Sequence, residues 1–172
     1  MGENGRFADV RARSSVDNIL RTIQQHHVTL SLMADTKASI LITISSIVLT
    51  LSISRSGDSH LRPALLTIAA TCLVSLLLAI FAVLPVFAEK RPKRRNLFFF
   101  GHFSALTEDD FMNEMHGILV DDGALYEAAL RDIHSMGIYL YRKKYRFLRL
   151  AYLALLIGFI AATVVEMVTL WG

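Results

Sequence analysis

A single cysteine in 172 residues has nothing to pair with. Cys72 also sits in the middle of an apolar run, so neither a disulfide framework nor a cysteine-based metal site can form within one chain. Proline is nearly as scarce. The three prolines stand at 63, 85 and 92, and neither proline nor glycine interrupts the chain from Ser14 until Gly57. That gap predicts one helix from about 15 to about 54. Catalytic signatures are missing too. There is no G-x-S-x-G, no H-E-x-x-H, no His-Asp dipeptide and no phosphate-cradling Gly-Lys loop, so the expectation is not an enzyme. His26 and His27 are adjacent, hence about 100° apart on a helix and a poor metal pair. His102, His116 and His134 have no ligand spacing either. No metal and no cofactor are expected.

What the chain has in abundance is apolar sequence. Mean hydropathy is +0.46 and 53% of residues are hydrophobic. Three runs carry no charge: 17 residues from Ala38 to Ser54, 26 from Pro63 to Ala88, and 16 between Arg149 and Glu166. A bilayer core of about 30 Å takes about 20 helical residues at about 1.5 Å each. The second run is long enough. The first and third span if Lys37, Arg55, Arg149 and Glu166 lie at the headgroups or snorkel to them. The first run starts too deep in the chain for a signal peptide, and a second span follows at once. With about three spans, 172 residues leave no room for a separate catalytic domain.

The expected organisation is therefore an all-α integral membrane protein with three transmembrane helices. Residues 1–37 form an N-terminal segment and helix, 38–54 the first span, 55–62 a short loop, 63–88 the second span, 89–149 a helical sensor region, and 150–172 the third span and C-terminus. Residues 1–37 carry five Lys and Arg and 89–149 carry eleven, against two in the short loop. The positive-inside rule then puts the N-terminus and the 89–149 region in the cytoplasm and the C-terminus outside.

Helical spacing continues beyond the spans. Val16, Ile19, Leu20, Ile23, His27 and Leu30 recur at steps of three or four, with Ser14 or Ser15 as a candidate cap. Pro63 suits the first position of a helix, and Pro85 implies a kink or local unwinding near the inner end of the second span. Thr107 ahead of Glu108-Asp109-Asp110 is a capping pattern for a short helix to about Leu119. Asp121-Asp122-Gly123 marks a turn and a new cap. Leu125, Ala128, Ala129, Ile133, Met136 and Leu140 then keep a helical period that can run through Tyr145 into the last span. Two of the three membrane helices are thus expected to extend into the cytoplasmic region.

Three groups of residues can carry function. Ser39, Thr43, Ser46, Thr50 and Ser54 put five hydroxyls on one face of the first span, and Thr67, Thr71 and Ser75 follow in the second. Read structurally, such residues zip the two spans together. Read functionally, the first stripe lines a hydrated path, which requires an oligomer because three helices enclose no useful pore. Ser45 and Ser52 lie off the stripe, so one face can pack while another stays wet. Glu166 is the one carboxylate in an apolar run, either an interfacial residue or an outer cation-attracting ring. Two basic clusters, Lys90 to Arg95 and Arg142 to Arg149, fit anionic lipid. They also fit a phosphate-bearing ligand, with the aromatic run Phe98-Phe99-Phe100-Gly101-His102-Phe103 beside the first cluster as a stacking platform or a hydrophobic plug. The candidate anionic-nucleotide residues are Lys37, Arg91, Lys93, Arg94, Arg95, Phe98, His102, Arg142 and Lys143. The candidate pore-lining residues are Ser39, Thr43, Ser46, Thr50 and Glu166.

Ala34-Asp35-Thr36-Lys37-Ala38, then Asn96 to Phe103, Thr107 to Phe111, Arg131 to Met136 and Lys144 to Arg149 follow one another in an order that resembles the transmembrane effectors of pyrimidine cyclase (Pycsar) antiphage systems. The similarity runs from about Asn18 to about Tyr152, and its most specific part is the motif Asp35, Thr36 and Lys37. The resemblance implies a bacterial inner-membrane effector. A nucleotide signal from a partner cyclase or nucleotidyltransferase would trigger membrane impairment by a homo-oligomer. No cyclic-nucleotide-binding domain is expected within these 172 residues, so a cyclic nucleotide, a short oligonucleotide and a partner protein all stay open as the signal, as does its sign. A membrane scaffold that recruits a cytosolic partner is the alternative from another class, and a membrane-bound enzyme acting on nucleotides, with His26, His27, Asp35 and His102 as its only acid/base group, is the third.

Overall fold

A computed structural model describes residues 7, 9–57, 60–84 and 96–171. The described residues contain no strand. Their helices are α1 (Ser14–Arg55), α2 (Arg62–Val83), α3 (Phe100–Phe103), α4 (Glu108–Leu119), α5 (Asp122–Tyr139) and α6 (Arg146–Trp171). A π-helical turn, Leu140–Tyr145, joins α5 to α6 without a break. The chain folds as two compact units, one from residues up to 29 with 85–139, the other from 30–84 with 140–172.

The first unit is polar and is organised by caps and side-chain hydrogen bonds. Ser14 is itself the first residue of α1, and the Arg13 carbonyl accepts from Val16 N–H and Asp17 N–H. Thr107 caps α4: its hydroxyl accepts from Asp110 N–H at 3.2 Å and donates to the Asp110 carboxylate at 2.8 Å. Asp121 caps α5 by accepting from Gly123 N–H and Ala124 N–H, each at 3.2 Å. Such caps satisfy the orphan donors of a first turn. The start of α1 is tied to α5 through buried Tyr126, whose hydroxyl accepts from Arg13 N–H at 3.0 Å and donates to Asp17 Oδ1 at 2.7 Å. The Arg13 amide pulls the phenol's pKa down. The bond to Asp17, burial, and the charges of Asp17 and Asp122 outweigh that pull and hold it above its ordinary value.

The second unit is built from the latter part of α1, α2 and α6. Each is part of a helical stretch long and apolar enough to cross a membrane. Large apolar side chains point outward, among them Ile47, Leu51, Leu73, Leu77, Leu156 and Ile160. Small ones point inward: Ala34, Ala38, Ala79, Ala82 and Ala151 are buried together with Leu41 and Leu148. Small residues let helix backbones approach closely when lipid surrounds them and water supplies no driving force. Gly158 shows how close. A Cβ built on it would fall 2.6 Å from Thr71 Cβ, so α2 and α6 meet at a point that admits only glycine.

At the centre, fully buried Ser45 donates to Ser75 Oγ at 3.4 Å, and Ser75 donates to the Ala151 carbonyl at 2.9 Å. One hydroxyl relay thus links α1, α2 and α6. The second span closes at Val83, with Leu84 already extended at φ −61° and ψ 125°. The physical reason is Pro85, whose ring disfavours helical backbone in the residue before it. The sequence pattern extends this span to 88, and residues 85–88 lie outside the described residues.

Candidate functional site

The feature with most chemical content lies in the π turn. A π turn inserts one extra residue into a helix and re-aims the side chains around it. Here Leu140, Lys144, Leu148 and Ala151 are buried. Lys144 therefore occupies a core position on an apolar helix pair, and its charge needs partners there. Its ammonium donates to Asp35 Oδ1 at 2.6 Å, to Asp35 Oδ2 at 2.7 Å and to Ser31 Oγ at 2.8 Å. An ammonium has three N–H donors, so Lys144 is saturated. Ser31 and Asp35 lie four residues apart, on one face of α1. The next residue adds a fourth bond, Tyr145 O–H to the Leu30 carbonyl at 3.2 Å. The clamp is asymmetric: the Lys144 side chain is 10% exposed and that of Asp35 41%. Solvent reaches mainly the carboxylate side.

The hydroxyl stripe takes a different direction from the packed face. Ser39, Thr43, Thr50 and Ser54 are exposed and Ser46 is half-buried. Ser39, Thr43, Thr50 and Ser54 donate to the carbonyls four residues back, of Asp35, Ser39, Ser46 and Thr50. Off the stripe, buried Ser45 bonds across to Ser75 of α2, and buried Ser52 donates to the Val48 carbonyl of its own helix. The stripe of α1 thus does not zip onto α2 within one chain.

In the polar unit, Asn96 organises the aromatic run. Its side chain donates to Asp132 Oδ1 at 2.8 Å and Ser135 Oγ at 3.3 Å, and accepts from Phe98 N–H at 3.0 Å. Its own N–H donates to His102 Nδ1 at 3.1 Å, which puts the neutral ring's proton on Nε2. The Phe99 ring stands edge-on to His102, with centroids 5.3 Å apart. A cavity of about 210 Å³ opens beside this turn, lined by Asn96, Leu97, Phe98, Ile118, Ala124, Glu127, Ala128 and Arg131. Arg131 is ion-paired with Glu127 one turn earlier in α5.

A family model described as the Pycsar effector protein domain matches residues 18–170. The chain belongs to the Pycsar effector family. No curated protein and no solved structure matches it. As a Pycsar effector it is a membrane effector of antiphage defence, and its family acts with nucleotide cyclase signalling systems.

The motif of this Pycsar effector separates into distinct jobs. Asp35 holds Lys144. The Thr36 hydroxyl donates to the Leu32 carbonyl, and Lys37 is exposed. Asp35 thus pairs with the second basic cluster, the one before the third span. Of the other candidate ligand residues, Phe98 and His102 come together at the Asn96 turn, and Phe98 also lines the cavity. Arg142 is exposed in the π turn, and Lys143 Nζ lies 5.8 Å from the Phe147 ring centroid. Arg91, Lys93, Arg94 and Arg95 lie outside the described residues. Glu166 sits on α6 with Oε1 3.7 Å from His60 Nδ1. No cluster of metal-ligating side chains exists among the described residues. Asn96, Arg131, Ser31 and Lys144 are not among the candidate site residues, although Asn96, Arg131 and Lys144 head stretches that carry the resemblance and Lys144 falls in the second basic cluster. An Asn just ahead of an aromatic run is a signal for an Asx turn. The Lys144 clamp joins positions 109 apart, and no local signal marks it.

Proposed function

We propose that this Pycsar effector is a non-enzymatic, homo-oligomeric pore or membrane-disrupting protein of the bacterial inner membrane, controlled by a nucleotide or oligonucleotide signal. The N-terminus and residues 89–149 face the cytoplasm, the C-terminus the periplasm. The observation that carries the reading is the outward hydroxyl face of α1. Ser39, Thr43, Thr50 and Ser54 are exposed on a helix whose other face is packed. Facing lipid, such a stripe gains nothing. Facing its counterparts in neighbouring subunits, it lines a wet path.

The signal acts on the polar unit, at the cavity beside Phe98 and Arg131. An anionic ligand there competes with Glu127 for the guanidinium, which is built for bidentate phosphate binding. The Asp35–Lys144 clamp is the latch. Closed, it holds the π turn; released, it lets the turn relax toward an α-helical register, and such a two-state element is what coupling between sites requires.

The test uses purified full-length protein in liposomes holding a potassium gradient, challenged with a panel of cyclic mononucleotides and short oligonucleotides. The expected result is depolarisation by at least one of them. Thr43→Leu/Ser46→Leu/Thr50→Leu should assemble like wild type and lose leakage at least tenfold. Full leakage from the assembled triple variant overturns the pore face. Impermeant liposomes with every ligand leave the scaffold as the better reading.

A further inference from the structure

The half of the second unit that the proposed orientation places on the periplasmic side contains a groove beside a carboxylate whose Oε1 faces His60 and whose Oε2 has no hydrogen-bond partner. Leu65 and Ile68 of α2 and Phe159, Ala162 and Met167 of α6 wall an open cavity of about 350 Å³, with Glu166 at its rim. The Glu166 Oε2 atom is buried and has no hydrogen-bond partner. A buried carboxylate oxygen left unpaired is a free-energy penalty that a hydrogen-bond donor relieves, and an intramembrane carboxylate is a site for a partner by default.

Depth limits what that partner is. Glu166 follows Lys144 by 22 residues, about 33 Å of helix, so the two mark opposite edges of a hydrocarbon core of about 30 Å. The groove itself covers α6 from Phe159 to Met167, about 12 Å, most of the depth of one leaflet. An occupant must therefore have a cationic, hydrogen-bonding head at the headgroup level and an apolar tail running inward from it. Arg62, exposed at the first position of α2 and next to groove-lining Leu61, offers a counter-charge for an anionic group between head and tail.

We infer that this groove binds an aminophospholipid of the outer leaflet, with its primary ammonium donating to Glu166, its phosphate near Arg62 and one acyl chain between α2 and α6. A quaternary ammonium of the same charge has no N–H to donate and satisfies Glu166 less well. The inference is independent of the pore and of the nucleotide, because it concerns lipid retention alone.

Native mass spectrometry of the detergent-released full chain is the experiment. The protein is loaded with equimolar phosphatidylethanolamine and phosphatidylcholine of identical acyl chains. Wild type should retain the ethanolamine lipid at least fivefold over the choline lipid, and Glu166→Gln should bring the ratio near one. Ala162→Trp, which fills the groove and keeps the carboxylate, should reduce retention of both. Thermal melts confirm that each variant is folded. Equal retention of the two lipids by wild type, or a preference unchanged in folded Glu166→Gln, overturns the inference. So does unchanged retention in folded Ala162→Trp.

Discussion

The two units of this molecule are held together in opposite ways. In the polar unit, side-chain hydrogen bonds do the fastening. Tyr126 ties α1 to α5, Asn96 ties the aromatic turn to α5, and Thr107 and Asp121 start the helices. In the apolar unit the fastening is the absence of side chain. Ala, Gly and Ser at the contacts let three helices close on one another, and large residues are relegated to the outside. The difference follows from solvent. Water rewards burial of large apolar groups and forgives an exposed polar one, whereas lipid tails are as apolar as leucine and reward only close fit and satisfied polarity. The Lys144 clamp is where the second unit departs from its own rule.

Breaking that exception should have the largest effect. Asp35→Ala leaves a nearly buried ammonium with one hydrogen bond instead of three, at a cost of about 3–5 kcal/mol. The expected outcome is a much lower melting temperature or constitutive leakage. Lys144→Met, which removes the charge along with its need for a partner, should be much milder. If the two variants behave alike, the clamp is not an ion-pair effect. The next effect tests close fit. Gly158→Ala drives a Cβ into Thr71 and should cost about 1–3 kcal/mol in thermal melts, with Thr71→Gly restoring part of the loss. A neutral result would mean that α2 and α6 can separate freely.

The smallest effect sharpens the contrast from the polar side. Tyr126→Phe should speed amide exchange over residues 14–29 several-fold and leave 34–55 unchanged, because the lost bonds belong to one unit. Exchange that spreads along all of α1 would show the units to be one cooperative body. The wild-type phenol adds a pH signature. Its pKa is raised in the fold, so the stability it contributes is fully present below the unfolded value of about 10 and is lost as pH rises through the folded value. The Phe variant should lack that alkaline loss.

Much of this architecture was legible in the residues. Uncharged runs, the gap without glycine or proline, Pro63, Thr107 and Asp121 place the helices, since these signals act within one turn of the backbone they control. The packing faces were legible only as alternatives. On α1 two stripes rich in small residues interleave, Ala34-Ala38-Leu41-Ser45-Ser52 with one leucine and Ser39-Thr43-Ser46-Thr50-Ser54 with none, and their periods are nearly the same. Only the partner helices decide which one is buried, and they chose the first. The π turn was illegible for a related reason. A helical period with one residue inserted still looks helical on either side. The reason for the insertion, a lysine that must meet Asp35 and Ser31, is more than 100 positions away.

The exposed hydroxyls of α1 carry one more consequence. Ser39, Thr43, Thr50 and Ser54 each spend their single proton on a carbonyl of their own helix. What remains outward is oxygen lone pairs. The face is hydroxylic in composition and acts as an acceptor in its electrostatics. These four present a column of acceptor oxygens, with half-buried Ser46 the fifth hydroxyl of the stripe. An assembly that turned these columns toward a common axis would hydrate and pass cations more readily than anions, with no acidic residue along the column.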